Sequence, residues 1–118
     1  MLIGHLALTV RDPRASADFY LSVVGLDGTA RDEPWGCRLD LRDGFMLALI
    51  RGEPLPDGLA PPVHFGCTLS TPDTARQERE RLRAAGAREL ELEDEDDYVG
   101  VKIADPDGYV VEISYDAS

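Results

Sequence analysis

At 118 residues, with 43% apolar and 30% charged side chains, the chain has the length and balance of one globular domain and not of a disordered segment. Its net charge of −11 excludes a phosphate-backbone partner, which basic side chains would have to neutralise, so neither nucleic acid nor an anionic membrane is an expected partner. The two cysteines, Cys37 and Cys67, form no CxxC pair and read as reduced thiols of a cytoplasmic protein.

The opening MLIGHLALTV is short, lacks a basic leader and is interrupted by His5, which fits neither a signal peptide nor a membrane span. From Gly4 to Pro13, GHLALTVRDP alternates as a half-buried strand and meets a proline where a helix can begin. PRASADFYLSVVG then sets Ala17, Tyr20, Leu21 and Val24 at helical spacing, with Gly25 as its stop. Three strands are predicted over 28–33, 36–42 and 45–50, with Asp43-Gly44 turning the chain into the last. RGEPLPDGLAPP, rich in proline and glycine, reads as a connector over 51–61.

Beyond the connector the pattern repeats. VHFGCTLSTP (Val63 to Pro72) lies over the first strand with His64 on His5, and PDTARQERERLRAAG is a second, more charged helix that stops at Gly86. Strands follow over 88–93, 98–104 and 108–115, with Asp107-Gly108 as the matching turn. The unit is βαβββ, used twice: module 1 over about 1–50 and module 2 over about 62–118. Neither half closes a core alone, so the two are expected to pair as one domain, 1–118, of α+β class.

Strand alternation assigns faces. Leu6, Leu8 and Val10 point toward the helix, and His5, Ala7 and Thr9 point away; in the repeat, Val63, Phe65, Cys67 and Leu69 face the helix, and His64, Gly66 and Thr68 oppose them. In the last strand Tyr109, Val111, Ile113 and Tyr115 lie together, leaving Val110, Glu112 and Ser114 on the second face. Both histidines of the chain and Glu112 therefore share the face turned from the helices. DGFMLALIR and DGYVVEISY are the two copies of the last strand, and Ala48 stands where the later copy carries Glu112. A carboxylate in an apolar strand is costly to bury without compensation, and two imidazoles with one carboxylate are a common donor set for a divalent first-row metal. His5, His64 and Glu112 are the candidate metal ligands.

HLALTV, DPRASADFYLSVVGL and DPDGYVVEISY resemble the vicinal oxygen chelate superfamily, which includes glyoxalases, bleomycin-resistance proteins, fosfomycin-modifying transferases and extradiol dioxygenases. The resemblance covers nearly the whole chain. It implies two βαβββ modules forming an open, cup-shaped mixed sheet with helices on the outer face. It also implies that His5, His64 and Glu112 match three of four ligand positions, Ala48 holding the fourth, for an iron, manganese, zinc or nickel ion. A homodimer is implied as well, with the cup closed within one chain or by exchange of modules between two. Ala48 disfavours reactions in which a glutamate or glutamine at that place assists proton transfer, as in lactoylglutathione lyases.

The function implied is a metal-dependent enzyme of the glyoxalase and dioxygenase type, acting on a small oxygen-rich substrate chelated to the metal. A non-catalytic protein that sequesters a drug or other ligand, as bleomycin-resistance members do, is the second reading. Catalytic groups are not assigned; Thr9, Met46, Ala48, Thr68, Tyr98, Lys102 and Ser114 are the candidate substrate contacts. ELELEDEDD (Glu89 to Asp97) reads as a solvated hairpin guarding a sheet edge, and Trp35 as a packing or interface residue.

Overall fold

A computed structural model of the protein describes residues 1–56 and 63–118, so the predicted connector from 57 to 61 lies outside the described residues. The chain separates into two compact units, Met1–Pro56 and Asp57–Ser118.

The first unit begins with β1 (His5–Val10) and α1 (Pro13–Asp18), the latter capped by Asp12, whose side chain accepts from the Ala15 N–H, and started by Pro13. The helix predicted to run on to Gly25 does continue, but Phe19–Val24 is π-helical, and Gly25 closes it in the left-handed conformation, its N–H donating to the Tyr20 carbonyl. This wider turn still buries Tyr20 and Val24, the inward positions of the predicted stripe. β2 (Gly28–Glu33), β3 (Gly36–Leu41) and β4 (Met46–Arg51) follow. The sheet order is β1-β4-β3-β2, with β1 parallel to β4 and the other pairs antiparallel. α1 packs on β3 and β4, over a core that includes Val10, Tyr20, Leu39, Leu47 and Leu49.

The second unit repeats this plan. β5 (Phe65–Thr68) is shorter than β1 and starts after His64, which with the exposed Val63 precedes the strand. α2 (Pro72–Ala84) opens on a reciprocal capping box between Thr71 and Thr74, carries Asp73 in its first turn and ends with Arg81 and Arg83 near its C-terminus, which complements the helix dipole at both ends. β6 (Arg88–Asp94), β7 (Tyr98–Ala104) and β8 (Val110–Asp116) complete a sheet of order β5-β8-β7-β6. α2 lies on β7 and β8, and Ala75, Leu82, Val99, Val101, Ile103, Val111 and Ile113 are buried in this unit.

The two aspartate-glycine turns form as expected, with Gly44 and Gly108 at positive φ, where a side chain would be strained. Before β8, the Asp105 carboxylate accepts from the Asp107 and Tyr109 N–H groups, which fixes the turn from inside. The acidic stretch is β6 and its hairpin. β6 is an edge strand tied to α2 by Arg79–Glu89 and Arg76–Asp94 ion pairs, so much of its charge is answered from the helix. Among the described residues no helix is long and apolar enough to cross a membrane.

Candidate functional site

In each unit the helix covers one face of the sheet, and the candidate residues that lie in strands fall on the other. In the first unit the parallel register sets His5 beside Met46, Ala7 beside Ala48 and Thr9 beside Ile50. His5, Thr9, Met46 and Ala48 therefore share a face, and the next strand places Arg38 beside Ala48 and Asp40 beside Met46. Arg38 turns along its own strand, its Nε donating to Asp40 Oδ1 at 2.8 Å. The face is a small apolar floor of Ala7, Ala48 and Met46 with an ion pair at its side.

The second unit holds the chemistry. Gly66 stands beside Glu112 and Thr68 beside Ser114, while on the other flank Lys102 is opposite Glu112 and Gly100 opposite Ser114. By the same alternation Thr68, Tyr98, Lys102, Glu112 and Ser114 belong to one face, whereas His64 precedes β5 and takes no place in its register. Glu112 is 8% exposed, a buried carboxylate within β8, flanked by Val111 and Ile113.

The sequence leads one to expect a metal as its compensation, but two side chains of the same unit already compensate it. The Tyr98 hydroxyl donates a short hydrogen bond to Glu112 Oε1, and the Lys102 ammonium lies 3.9 Å from Oε2. Lys102 also reaches Glu91 Oε1 on β6 at 3.4 Å, so the ammonium is held between two carboxylates. Among the described residues no buried side-chain nitrogen or oxygen lacks a partner.

The local sequence explains this reach. Tyr98, Gly100 and Lys102 alternate on one face of β7, and a Cβ on Gly100 would stand 2.8 Å from Tyr98 Cε1 and 3.0 Å from its hydroxyl oxygen. Glycine is what lets the ring lie down along the strand toward Glu112. Burial first, then the hydrogen bond to Glu112 and the charge behind it, push the Tyr98 phenol up to about 12, so at neutral pH it holds its proton and donates. Gly66 does a related service on the other flank. A Cβ there would sit 3.3 Å from the Glu112 carbonyl oxygen and 3.9 Å from its Cβ, so its absence keeps the strand beside the carboxylate bare.

These observations bear on whether a metal suits the residues. The donor chemistry fits: two imidazoles and a carboxylate match a divalent first-row ion, and the bare backbone at Gly66 leaves room beside the carboxylate. His5 belongs to the first unit, His64 and Glu112 to the second. Among the described residues no three His, Cys, Asp or Glu side chains gather about one point.

Sequence reasoning named Tyr98 and Lys102 as contacts without seeing that they hold Glu112; it put Gly66 on the face turned from the helix without giving it a task, read Glu91 only as part of the acidic hairpin, and passed over Gly100. The readable signal for Gly100 was its place between Tyr98 and Lys102 in a period-two pattern. Glu91 carried none, because an irregularity between Glu89 and Glu91 resets the β6 register.

Comparison with known proteins agrees with this architecture. Among curated proteins none matches the chain in sequence. Many solved structures share its fold. A glyoxylase/bleomycin resistance protein/dioxygenase domain from Frankia sp. EAN1pec superposes with a TM-score of 0.76 at 21% identity, covering 98% of each chain. A lactoylglutathione lyase from Agrobacterium tumefaciens gives a TM-score of 0.75 at 21% identity over 97% of this chain and 92% of its own. A genomically encoded fosfomycin resistance protein from Listeria monocytogenes gives 0.76 at 14% identity over 98% and 93%. At such identities the likeness is one of fold. The sequence profile of the Glyoxalase/Bleomycin resistance protein/Dioxygenase superfamily matches residues 2–113, nearly the whole chain, and with the doubled βαβββ plan this establishes that the protein belongs to that superfamily.

Proposed function

We propose that the chain is a metal-dependent enzyme acting on a small, oxygen-rich molecule, with His5, His64 and Glu112 as the protein donors to a divalent ion. The observation that carries this reading is Glu112: a carboxylate buried mid-strand on the face turned from the helix, opposite a glycine, where the first unit has Ala48. A metal at these donors would supply Lewis-acid chemistry, polarising a substrate oxygen.

The chain's own groups have separate tasks. Tyr98 carries a proton on a hydroxyl aimed into the face and can donate it in a hydrogen bond. Lys102 brings positive charge to the same place, and Thr68 and Ser114, side by side on β5 and β8, offer hydroxyls. Ala48 and Met46 give the first unit an apolar surface suited to the hydrocarbon part of a substrate. Of the activities named among the structural neighbours, the lactoylglutathione lyase reaction is disfavoured, because Ala48 cannot move a proton.

The test is metal analysis of protein purified without a histidine tag. The expected result is uptake of about one equivalent of Mn(II), Fe(II), Ni(II) or Zn(II), weakened roughly 10- to 100-fold or more in Glu112→Ala with the fold retained. Uptake below about a tenth of an equivalent for all four ions would overturn the proposal and favour a ligand-sequestering protein.

A further inference from the structure

The first sheet sets two cations face to face. In the β2–β3 pair Arg31 is directly opposite Arg38, and both lie on the face turned from α1, since Cys37 and Leu39, the neighbours of Arg38, are buried on the helix side. Like charges at directly opposed positions weaken a strand pair. The chain is rich in side chains that would serve better, with 23 acidic against 12 basic. The second unit uses one of them. There Lys102 is opposite Glu91, and the two are 3.4 Å apart. The two places correspond, because Arg38 is beside Ala48 as Lys102 is beside Glu112.

Each arginine turns along its own strand. Arg31 Nε donates to Glu33 Oε1 at 2.9 Å, and Arg38 Nε donates to Asp40 Oδ1 at 2.8 Å. Because the strands are antiparallel, Glu33 lies toward the β2–β3 turn and Asp40 toward the other end of the pair, so the guanidiniums lean apart. Among the described residues each is held through Nε alone, whereas Arg79 engages Glu89 through Nε and Nη2 together. The terminal nitrogens of both forks are left to meet another acceptor, on side chains 62% and 37% exposed.

Opposed residues of an antiparallel pair have Cα atoms about 5 Å apart, a span that two arginine side chains close easily on one group between them. Arginine forks bind oxyanions through paired N–H groups, and two guanidiniums are matched in charge by a group carrying two negative charges, where a monocarboxylate answers only one. Ala48 beside Arg38 and Met46 beside Asp40 give the same face an apolar surface for the rest of such a ligand.

We propose that Arg31 and Arg38 form an anion site on the first unit that takes a tetrahedral dianion of the phosphate-monoester class, with Glu33 and Asp40 keeping the two arms apart in its absence. The inference needs no metal, and its contacts all lie within Met1–Pro56.

The test titrates the EDTA-treated chain with inorganic phosphate, at a pH where the dianion prevails, and reads binding from the phosphorus resonance. Saturable binding is expected, competed by sulfate and not by acetate. Arg31→Gln and Arg38→Gln are each expected to weaken it by about tenfold or more, the effect of losing a hydrogen-bond partner to a charged group. Glu33→Gln and Asp40→Asn, which remove a competing carboxylate, are expected to tighten it, and they carry the test should either arginine variant fail to fold. Arg14→Gln removes the same charge from α1, on the other side of the sheet, where Arg14 pairs with Asp18 and Asp32, and is expected to leave binding unchanged. The inference is overturned by absence of saturable binding in the wild type, by equal competition from acetate, by binding unchanged in either arginine variant, by an equal loss in Arg14→Gln, or by acid variants that bind no more tightly. None of these outcomes bears on the proposed metal donors, which metal uptake tests separately.

Discussion

A single missing methyl group sets the geometry around Glu112. Gly100 sits beneath the Tyr98 ring, and a Cβ there would fall within 3.1 Å of three ring and hydroxyl atoms. Two effects of Gly100→Ala oppose each other. Alanine in a strand is worth about 0.5–1 kcal/mol over glycine through backbone entropy. The displaced ring, however, gives up a hydrogen bond to a carboxylate, worth about 1.5–3 kcal/mol. The second wins, and a net loss of about 1–2 kcal/mol is expected in chemical denaturation of the metal-free protein. Tyr98→Phe, which loses the same hydrogen bond without the clash, should cost a similar amount, and the double variant should cost little more than either alone, because both delete one interaction. Fully additive losses would mean that Gly100 acts elsewhere than through the tyrosine.

At the level of elements, the acidic β6 strand is an edge whose charge is partly answered by α2. Arg79 bonds Glu89 at 2.7 Å, with side-chain exposures of 26% and 29%, and this holds the Glu89 carboxyl below its ordinary range, the hydrogen bond to the guanidinium acting first and its charge adding to it. A depressed carboxylate contributes stability that is present above its unfolded value of about 4.3 and lost as the pH falls through the lower folded one. Half-exposed pairs are worth no more than about 1 kcal/mol. Arg79→Met is therefore expected to lower stability by about 0.5–1 kcal/mol at pH 7 and by less at pH 3, as read by urea midpoints at the two pH values. An equal loss at both would assign the effect to packing of the arginine stem. This element also shows what a sequence conceals. Alternation, prolines at helix starts and aspartate-glycine turns made every strand and both helices legible, because each signal is local. The π-helical turn at Phe19–Val24 was not, since it keeps the same residues inward as an α-helix would. Nor was the Lys102–Glu91 contact, which depends on a register irregularity that no residue type announces.

At the level of the molecule, the repeat is what made the candidate site readable, and divergence between its copies is what gave it direction. Placing DGFMLALIR over DGYVVEISY singles out Glu112 because Ala48 is the background against which it appears, and the two histidines coincide only in that frame. The same comparison sets Arg38, beside Ala48, against Lys102, beside Glu112. The proposed donors are distributed over both compact units, His5 in Met1–Pro56 and the other two in Asp57–Ser118, and that distribution has a thermodynamic consequence. A ligand that binds only the folded state stabilises it by about 2.7 kcal/mol at a hundredfold excess over its dissociation constant. If all three donors act on one ion, that energy is lost when either unit unfolds, so metal should protect both. Trp35, the only tryptophan, belongs to the first unit and is 38% exposed, so its fluorescence follows that unit's unfolding. Saturating Zn(II) or Mn(II) is expected to raise the midpoint seen through Trp35 by roughly 5–10 °C for a domain of this size, and Glu112→Ala, a change in the second unit, should abolish the rise. A metal that raised only the midpoint of the second unit, leaving the Trp35 transition where it was, would remove His5 from the donor set while leaving His64 and Glu112 in it.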